Sequence, residues 1–289
     1  MSGPLLVVDA PFLLYRSFFA LPETITDGQG HSVGALLGAT NVLLRIAAEL
    51  SPRALVLCFG AEAADYRVAL YPGYHAHRPP VAPALAWQLE AAPEYFAPFG
   101  WSSATDASLE ADDLLGSLAR TEASARGQTL ILTGDRDMYQ CASELTTILY
   151  LKQGSVGFEA VDPAEVKRRY GVVPALVPDF IALRGDPSDG LPGAPGIGPK
   201  TAAALLARHG SLPAVIAAAA GERPRIAAAL QGAAQELLAF ADIATLRAVE
   251  LERPEDRQTS LEGGARAARR WGMNRLAQRL EGAEKLSDL

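Results

Sequence analysis

Short unbroken apolar runs alternate along the chain with longer stretches in which apolar residues recur every three or four positions. Leu5-Leu6-Val7-Val8, Ala54-Leu55-Val56-Leu57-Cys58-Phe59 and Thr129-Leu130-Ile131-Leu132-Thr133 read as strands buried on both faces, with a fourth over 147–151. Between the first two, Leu36, Leu37, Leu43, Leu44, Ala47 and Leu50 predict a helix over 33–50, closed by Pro52. A second helix is expected to open at Glu110, with Leu114, Leu115 and Leu118 on its apolar face, and another over 87–96. Strand, helix, strand in this order implies right-handed parallel crossovers. The fold class is therefore α/β, a central, mostly parallel, twisted sheet flanked by helices. Past about residue 175 the chain turns to alanine-rich helices, so a core over 1–175 and a helical region over 176–289 are expected. The basic amphipathic stretch 264–284 reads as mainly structural, with bases that could graze DNA.

Two segments follow neither rhythm. Residues 11–21 are rich in aromatics and carry one base, Arg16. Most of them are expected in the core, although a basic-aromatic stretch beside an acidic site could hold a phosphate and stack a base. Residues 66–84 mix Tyr66, Arg67, Tyr71, Tyr74, His75, His77 and Arg78 with Pro72, Pro79, Pro80 and Pro83. A long unpatterned segment inside a compact domain is expected to be functional or mobile, and this composition suits single-stranded nucleic acid.

Chemistry gathers where acids interrupt the apolar pattern. Asp9 ends the first strand; Glu110, Asp112 and Asp113 open a helix; Asp135 and Asp137 follow the third strand; Asp186 and Asp189 form a last cluster. Acids are favoured in a helix's first turn by its macrodipole, so the second group alone would signal only a solvated helix start. Eight carboxylates, six of them at strand ends and one helix start, imply more. Ligand sites of open α/β sheets lie beyond the carboxyl ends of the strands, and gathered carboxylates repel unless cations neutralise them. Glu110 and Asp113, three apart, are expected to share a face. Hard divalent cations are the natural partners.

A further turn, Leu191-Pro-Gly-Ala-Pro-Gly196-Ile-Gly198-Pro199-Lys200-Thr201, precedes an alanine-rich helix. Pro199 suits the first helical position. Such a turn exposes backbone N–H groups that can bind a phosphate without reading bases. Alone it is a tight helix–helix turn; with Lys200 after it and acids before it, DNA-backbone binding is the better reading.

Composition changes this picture little. The chain of 289 residues is 49% apolar and 20% charged, an ordinary globular balance. Its net charge of −7 would speak against nucleic acid, but bound metal would cancel much of that acidity. Cys58 and Cys141 form no C-x-x-C pair and the four histidines show no ligand spacing, which excludes a thiolate zinc site. The first apolar run is too short for a secretory signal and no stretch reaches membrane-spanning length, so a cytoplasmic protein is expected.

Taken together, Val-Val-Asp9, Tyr15-Arg16, Tyr74 to Arg78, Glu110-Ala-Asp112-Asp113, Thr133-Gly-Asp135-Arg-Asp137, Gly185-Asp186-Pro-Ser-Asp189 and Gly196-Ile-Gly-Pro-Lys200 resemble the bacterial 5′ nucleases. These are flap endonucleases and 5′→3′ exonucleases, including the N-terminal domain of DNA polymerase I. The resemblance runs from Leu6 to about residue 250 and implies a PIN-like core with a helix-two-turn-helix over 179–208. It implies two or more divalent cations, Mg²⁺ or Mn²⁺: Asp9, Glu110, Asp112 and Asp113 around the first, and Asp135, Asp137, Asp186 and Asp189 around the second. It further implies Arg78 on the scissile phosphate and an arch over 66–97. DNA contacts would come from Tyr15, Arg16, Tyr74, His75, Gly196, Gly198, Lys200 and Thr201, with K⁺ at the last turn. A monomer acting on branched or 5′-ended duplex DNA beside a DNA polymerase follows. Four positions depart from the family pattern. Gly60 stands for its usual aspartate, Glu62 and His75 for lysines, and Gly190 for an asparagine. The lost acid and bases imply a reshaped first metal site that favours Mn²⁺. They also keep open a branched-DNA-binding paralogue that cuts poorly. A small-molecule phosphate-ester hydrolase would leave the glycine turn and the basic-aromatic segment without a role.

Overall fold

The strand β1 (Leu5–Asp9) is buried at every position and lies inside a six-stranded sheet of order β3-β2-β1-β4-β5-β6. A computed structural model describes residues 3–152 and 157–289. Strands β2 (Ala54–Phe59), β3 (Ser102–Thr105), β4 (Thr129–Thr133) and β5 (Thr146–Tyr150) all run parallel to their neighbours, and β6 (Glu159–Val161) closes one edge antiparallel to β5. The expected mostly parallel sheet is present. Sequence patterning missed β3 and β6, because both are short, partly exposed edge strands with no apolar run.

Alternation within the strands sends Leu5, Val7, Val56 and Cys58 to one face of the sheet and Leu6, Val8, Leu55 and Leu57 to the other. The second face is covered by α1 (Ala10–Ala20), α2 (Gly34–Leu50) and α4 (Pro83–Phe96). The helix expected over 87–96 thus begins four residues earlier and carries Pro93 inside it. The first face holds α5 (Ala111–Ser124). Around it sit α3 (Asp65–Leu70), α6 (Pro163–Tyr170) and α7 (Val177–Arg184). The helical region continues with α8 (Pro199–His209), α9 (Leu212–Ala217), α10 (Pro224–Gly232) and α11 (Ala234–Ala244). Its Phe180, Leu205, Leu237 and Phe240 share one hydrophobic cluster with β1 and α5. The basic stretch near the C-terminus is a hairpin of α12 (Leu261–Arg270) and α13 (Asn274–Glu281), packed on the α2 and α4 side. None of the described helices is long and apolar enough to cross a membrane.

Residues 245–260 run without regular structure along α5 and tie the helical region to the core. Arg53, at the entry to β2, and Glu122, near the end of α5, form an ion pair closed off from water. Arg253 forks onto the same carboxylate at 2.9 and 3.0 Å, while Asp256 and the Pro254 carbonyl take the remaining Arg53 donor at 2.7 Å. Breaking a buried ion pair leaves an uncompensated charge at a cost of about 3–5 kcal/mol. Glu122→Ala is expected to lower the unfolding free energy in urea by that amount. A loss below about 1 kcal/mol, the worth of an exposed pair, would contradict the assignment.

Candidate active site

The sheet's strand order reverses between β1 and β4, and the acids collect at the carboxyl edge of that junction. Asp9 caps α1, accepting the Phe12 N–H at 3.0 Å and the Thr133 hydroxyl at 2.8 Å. That same hydroxyl oxygen accepts the Asp135 N–H at 2.9 Å, and Asp135 in turn accepts the Asp137 N–H at 2.8 Å. Asp112 enters from the first turn of α5. Asp186 and Asp189 arrive from the turn after α7, where Asp186 and Leu191 exchange backbone bonds of 2.8 Å. Arg184 pairs with Asp186 at 2.9 Å, and His75 and Arg78 reach Asp189 at 3.2 and 3.0 Å. Asp9, Asp137, Asp186 and Asp189 are buried, whereas Asp112 and Asp135 open partway to solvent.

These carboxylates feel one another. Burial first, then the charges of Asp135, Asp9 and Glu110, push Asp112 well above the usual carboxylate range. Asp137 moves the same way through burial and the charges of Asp135, Asp189 and Asp186. Asp135 is pushed up to about 7 by burial and Asp189, and Asp9 is raised by burial against the pull of its two hydrogen bonds. Among the described residues, no hydrogen bond reaches the Asp112 or Asp137 side chain, and no three potential ligands converge as a finished metal cage. The donor set is nonetheless all carboxylate oxygen, under-neutralised and reachable from solvent. It fits a hard divalent cation, which would draw the acids together.

Two of the eight acids face elsewhere. Glu110 and Asp113 do share a face, as their spacing predicts, but that face belongs to Arg67. Asp113 is fully buried and forks with Arg67 at 2.9 and 3.1 Å, while accepting the Arg247 N–H at 2.7 Å and the Glu110 N–H at 3.2 Å. Glu110 accepts the Ala64 N–H at 2.8 Å and the Tyr74 hydroxyl at 2.9 Å, and lies 3.2 Å from Arg67. Both oxygens of Asp113, expected as a metal ligand, are thus engaged by protein donors. Tyr66 and Arg67, expected in a segment suited to single-stranded nucleic acid, and Thr133, expected only as a strand end, instead build the site, since a Tyr-Arg pair carries no sign of burial in sequence.

The arch expected over 66–97 also contracts. Residues 83–96 are the core helix α4, with Leu85, Ala92, Tyr95 and Phe96 fully buried, and the contacts to the acids come from Tyr74, His75 and Arg78. Tyr74 and His75 are buried rather than held out for DNA, with their rings stacked at 3.8 Å. Arg78 stays partly exposed beside Asp189. Tyr15 and Arg16 lie half-buried on α1, just beyond Asp9. Gly196, Gly198 and Lys200 are exposed and Thr201 is half-buried at the start of α8, with Pro199 in its first turn as expected.

Known proteins of the same family and fold are recognisable. Family models described as "5′-3′ exonuclease, N-terminal resolvase-like domain" and "5′-3′ exonuclease, C-terminal SAM fold" match residues 4–171 and 172–262. A 5′-3′ exonuclease of Mycobacterium tuberculosis is 35% identical, the match covering 98% of each chain. The chain belongs to the 5′–3′ exonuclease family. It is a 5′ nuclease of that family, with the resolvase-like core and the helical region both in place. DNA polymerase I of Mycobacterium bovis is 36% identical over 73% of this chain but only 24% of its own length. In solved structures, the fold matches bacteriophage T5 5′-exonuclease with zinc bound (TM-score 0.68, 16% identity, 84% of this chain and 89% of that one). It also matches the catalytic core of Rad2 with DNA substrate (TM-score 0.61, 14% identity, 93% and 87%).

The departures at Gly60 and Gly190 have a packing cause. A Cβ at Gly60 would stand 2.5 Å from the Ala111 nitrogen, the Glu110 carbonyl carbon and the Leu109 oxygen, all backbone. Gly190 has φ +77, and a Cβ there would lie 2.5 Å from the Gly73 oxygen. Gly60→Asp is thus expected to destabilise the family member, not to improve it. A variant with wild-type melting temperature and higher cleavage rate would contradict this.

A second prediction concerns pH. A carboxyl whose folded value exceeds its unfolded one favours the fold while protonated, and that stability is lost as pH rises through the folded value. With Asp135 moved from 3.8 to about 7, and Asp9, Asp112 and Asp137 shifted upward too, the metal-free protein loses stability from about pH 4 to 7. In EDTA its melting temperature should fall by several degrees from pH 5 to 8, at about 2–4 °C per kcal/mol. A divalent cation should restore most of that loss at pH 8; an unchanged melting temperature across this range would refute the electrostatic account.

Proposed function

We propose that this 5′ nuclease hydrolyses DNA phosphodiesters at 5′ flaps and 5′ ends, in replication and repair, with Mg²⁺ or Mn²⁺ held by the aspartate cluster. The observation that carries the reading is the set of six aspartates from four segments at the sheet's switch point, mutually repelling and under-neutralised. Bound there, a pair of divalent cations supplies Lewis-acid activation of water and stabilisation of the leaving 3′ oxygen. The chain's own groups do the rest. Arg78, partly exposed beside the acids, grips the phosphate being cut. Tyr15 and Arg16 continue the contact along α1. Gly196, Gly198, Lys200 and Thr201 at the start of α8 hold the duplex backbone, and the same turn is the place proposed for K⁺.

Support for a DNA substrate comes from relatives: the Rad2 core was solved with DNA substrate, and a T5 flap endonuclease with DNA and metal ions. The match to the DNA polymerase I relatives supports action beside a polymerase. A cytoplasmic monomer completes the proposal. A second reading, a branched-DNA binder that cuts poorly, is favoured by two departures: Gly60 stands for an acid and Glu62 for a lysine beside the site.

A 5′-labelled flap duplex separates the two. The expected result is cutting near the single-strand/duplex junction that needs Mn²⁺ or Mg²⁺, stops with EDTA, and falls about 100- to 1,000-fold in Asp135→Ala, the scale of losing a group that stabilises the transition state. The Mn²⁺ rate should exceed the Mg²⁺ rate. Binding without cutting under either ion would select the binder.

A further inference from the structure

Arg67 is 3% exposed and every face of its guanidinium is engaged. Its two terminal nitrogens fork onto Asp113, one of them also lies 3.2 Å from Glu110, and Nε donates to the Ile243 carbonyl at 3.0 Å. The Tyr66 ring covers it at 4.9 Å. We propose that Arg67 is a built-in cation that removes Glu110 and Asp113 from the ligand set and positions Asp112. The catalytic cations are then left to Asp9, Asp112, Asp135, Asp137, Asp186 and Asp189. This inference rests on the metal-dependent reading above and says which acids perform it.

Occupancy and charge set this division. Each Asp113 oxygen accepts two or three protein donors, from Arg67, the Arg247 N–H, the Glu110 N–H and the Tyr66 hydroxyl. Each Glu110 oxygen is engaged as well. A metal ion entering there would break this set and leave a buried guanidinium beside a like charge, which the low-dielectric surroundings make unfavourable. Asp112, one residue away and turned by about 100° on the helix, accepts no hydrogen bond among the described residues and is half open to solvent. Arg67 therefore divides neighbouring acids of one motif into a locked pair and an open ligand. Because α3, the Tyr74 turn and the start of α5 all meet at this node, it also fixes where Asp112 points. Gly60 suits the arrangement: with no acid at that position, one guanidinium has two carboxylates to balance rather than three.

Isothermal titration of EDTA-stripped protein with Mn²⁺ tests the division. Asp112→Asn should lower Mn²⁺ affinity by at least about 10-fold, whereas Asp113→Asn should keep the wild-type stoichiometry with affinity within about 3-fold, although melting earlier. Arg67→Lys keeps the charge but loses the fork. It should fold and bind flap DNA with unchanged KM, while Mn²⁺ affinity and kcat each fall about 10-fold, as expected of a residue behind the ligands. If Asp113→Asn does not fold, Glu110→Gln gives the same comparison. Equal loss of Mn²⁺ in Asp112→Asn and in the Asp113 or Glu110 variant would overturn the proposal. Wild-type protein that takes up no Mn²⁺ at all would instead overturn the metal-dependent reading itself, and this inference with it.

Discussion

Six aspartate carboxylates are drawn to one edge of a parallel sheet, and the nearby side chains offset only part of their charge. Burial and mutual repulsion raise several of them, so the metal-free site is held together against its own electrostatics. What holds it is the rest of the molecule. The apolar interior of β1, β2 and β4 fixes the strand ends. Thr133 links Asp9 to Asp135 across the switch point, and α7 shares its core with α5 and so brings Asp186 and Asp189 alongside. A hydrophobic core of this size can absorb the unfavourable charge of a functional site, which is where such strain is usually found.

Much of this was legible from residue order. Uninterrupted apolar runs announced β1, β2, β4 and β5, and the acids at the ends of β1 and β4 announced the site, because a strand buried on both faces has few other reasons to finish in aspartate. Other features were hidden for physical reasons. Helix α1 was missed because its cap, Asp9, is also the last residue of a strand, and its aromatics are spread over buried and exposed faces. The side that Asp113 takes is set by Arg67, 46 residues away in sequence, which no local spacing reveals. Tyr74 and His75 look like DNA contacts in sequence, yet they are buried under the turn that covers the acids.

The family departures make one packing unit. Gly60 lets the end of β2 approach the start of α5, where the Ala61 N–H meets the Leu109 oxygen at 2.8 Å. Gly190 lets the 71–78 turn settle on the Asp186–Asp189 turn, where the His75 N–H meets the Asp189 oxygen at 3.1 Å. His75, in a left-handed conformation at φ 54, joins the Glu62 carbonyl to Asp189. The two glycines permit close backbone contact on both sides of the acids, at Gly60 in place of a charge.

The most direct test of the account is the position of Mn²⁺ by anomalous diffraction from crystals of the protein. Density is expected among Asp9, Asp112, Asp135, Asp137, Asp186 and Asp189, with Arg67 still forked on Asp113. Density on Glu110 or Asp113 with Arg67 displaced, or none near the switch point, would contradict it.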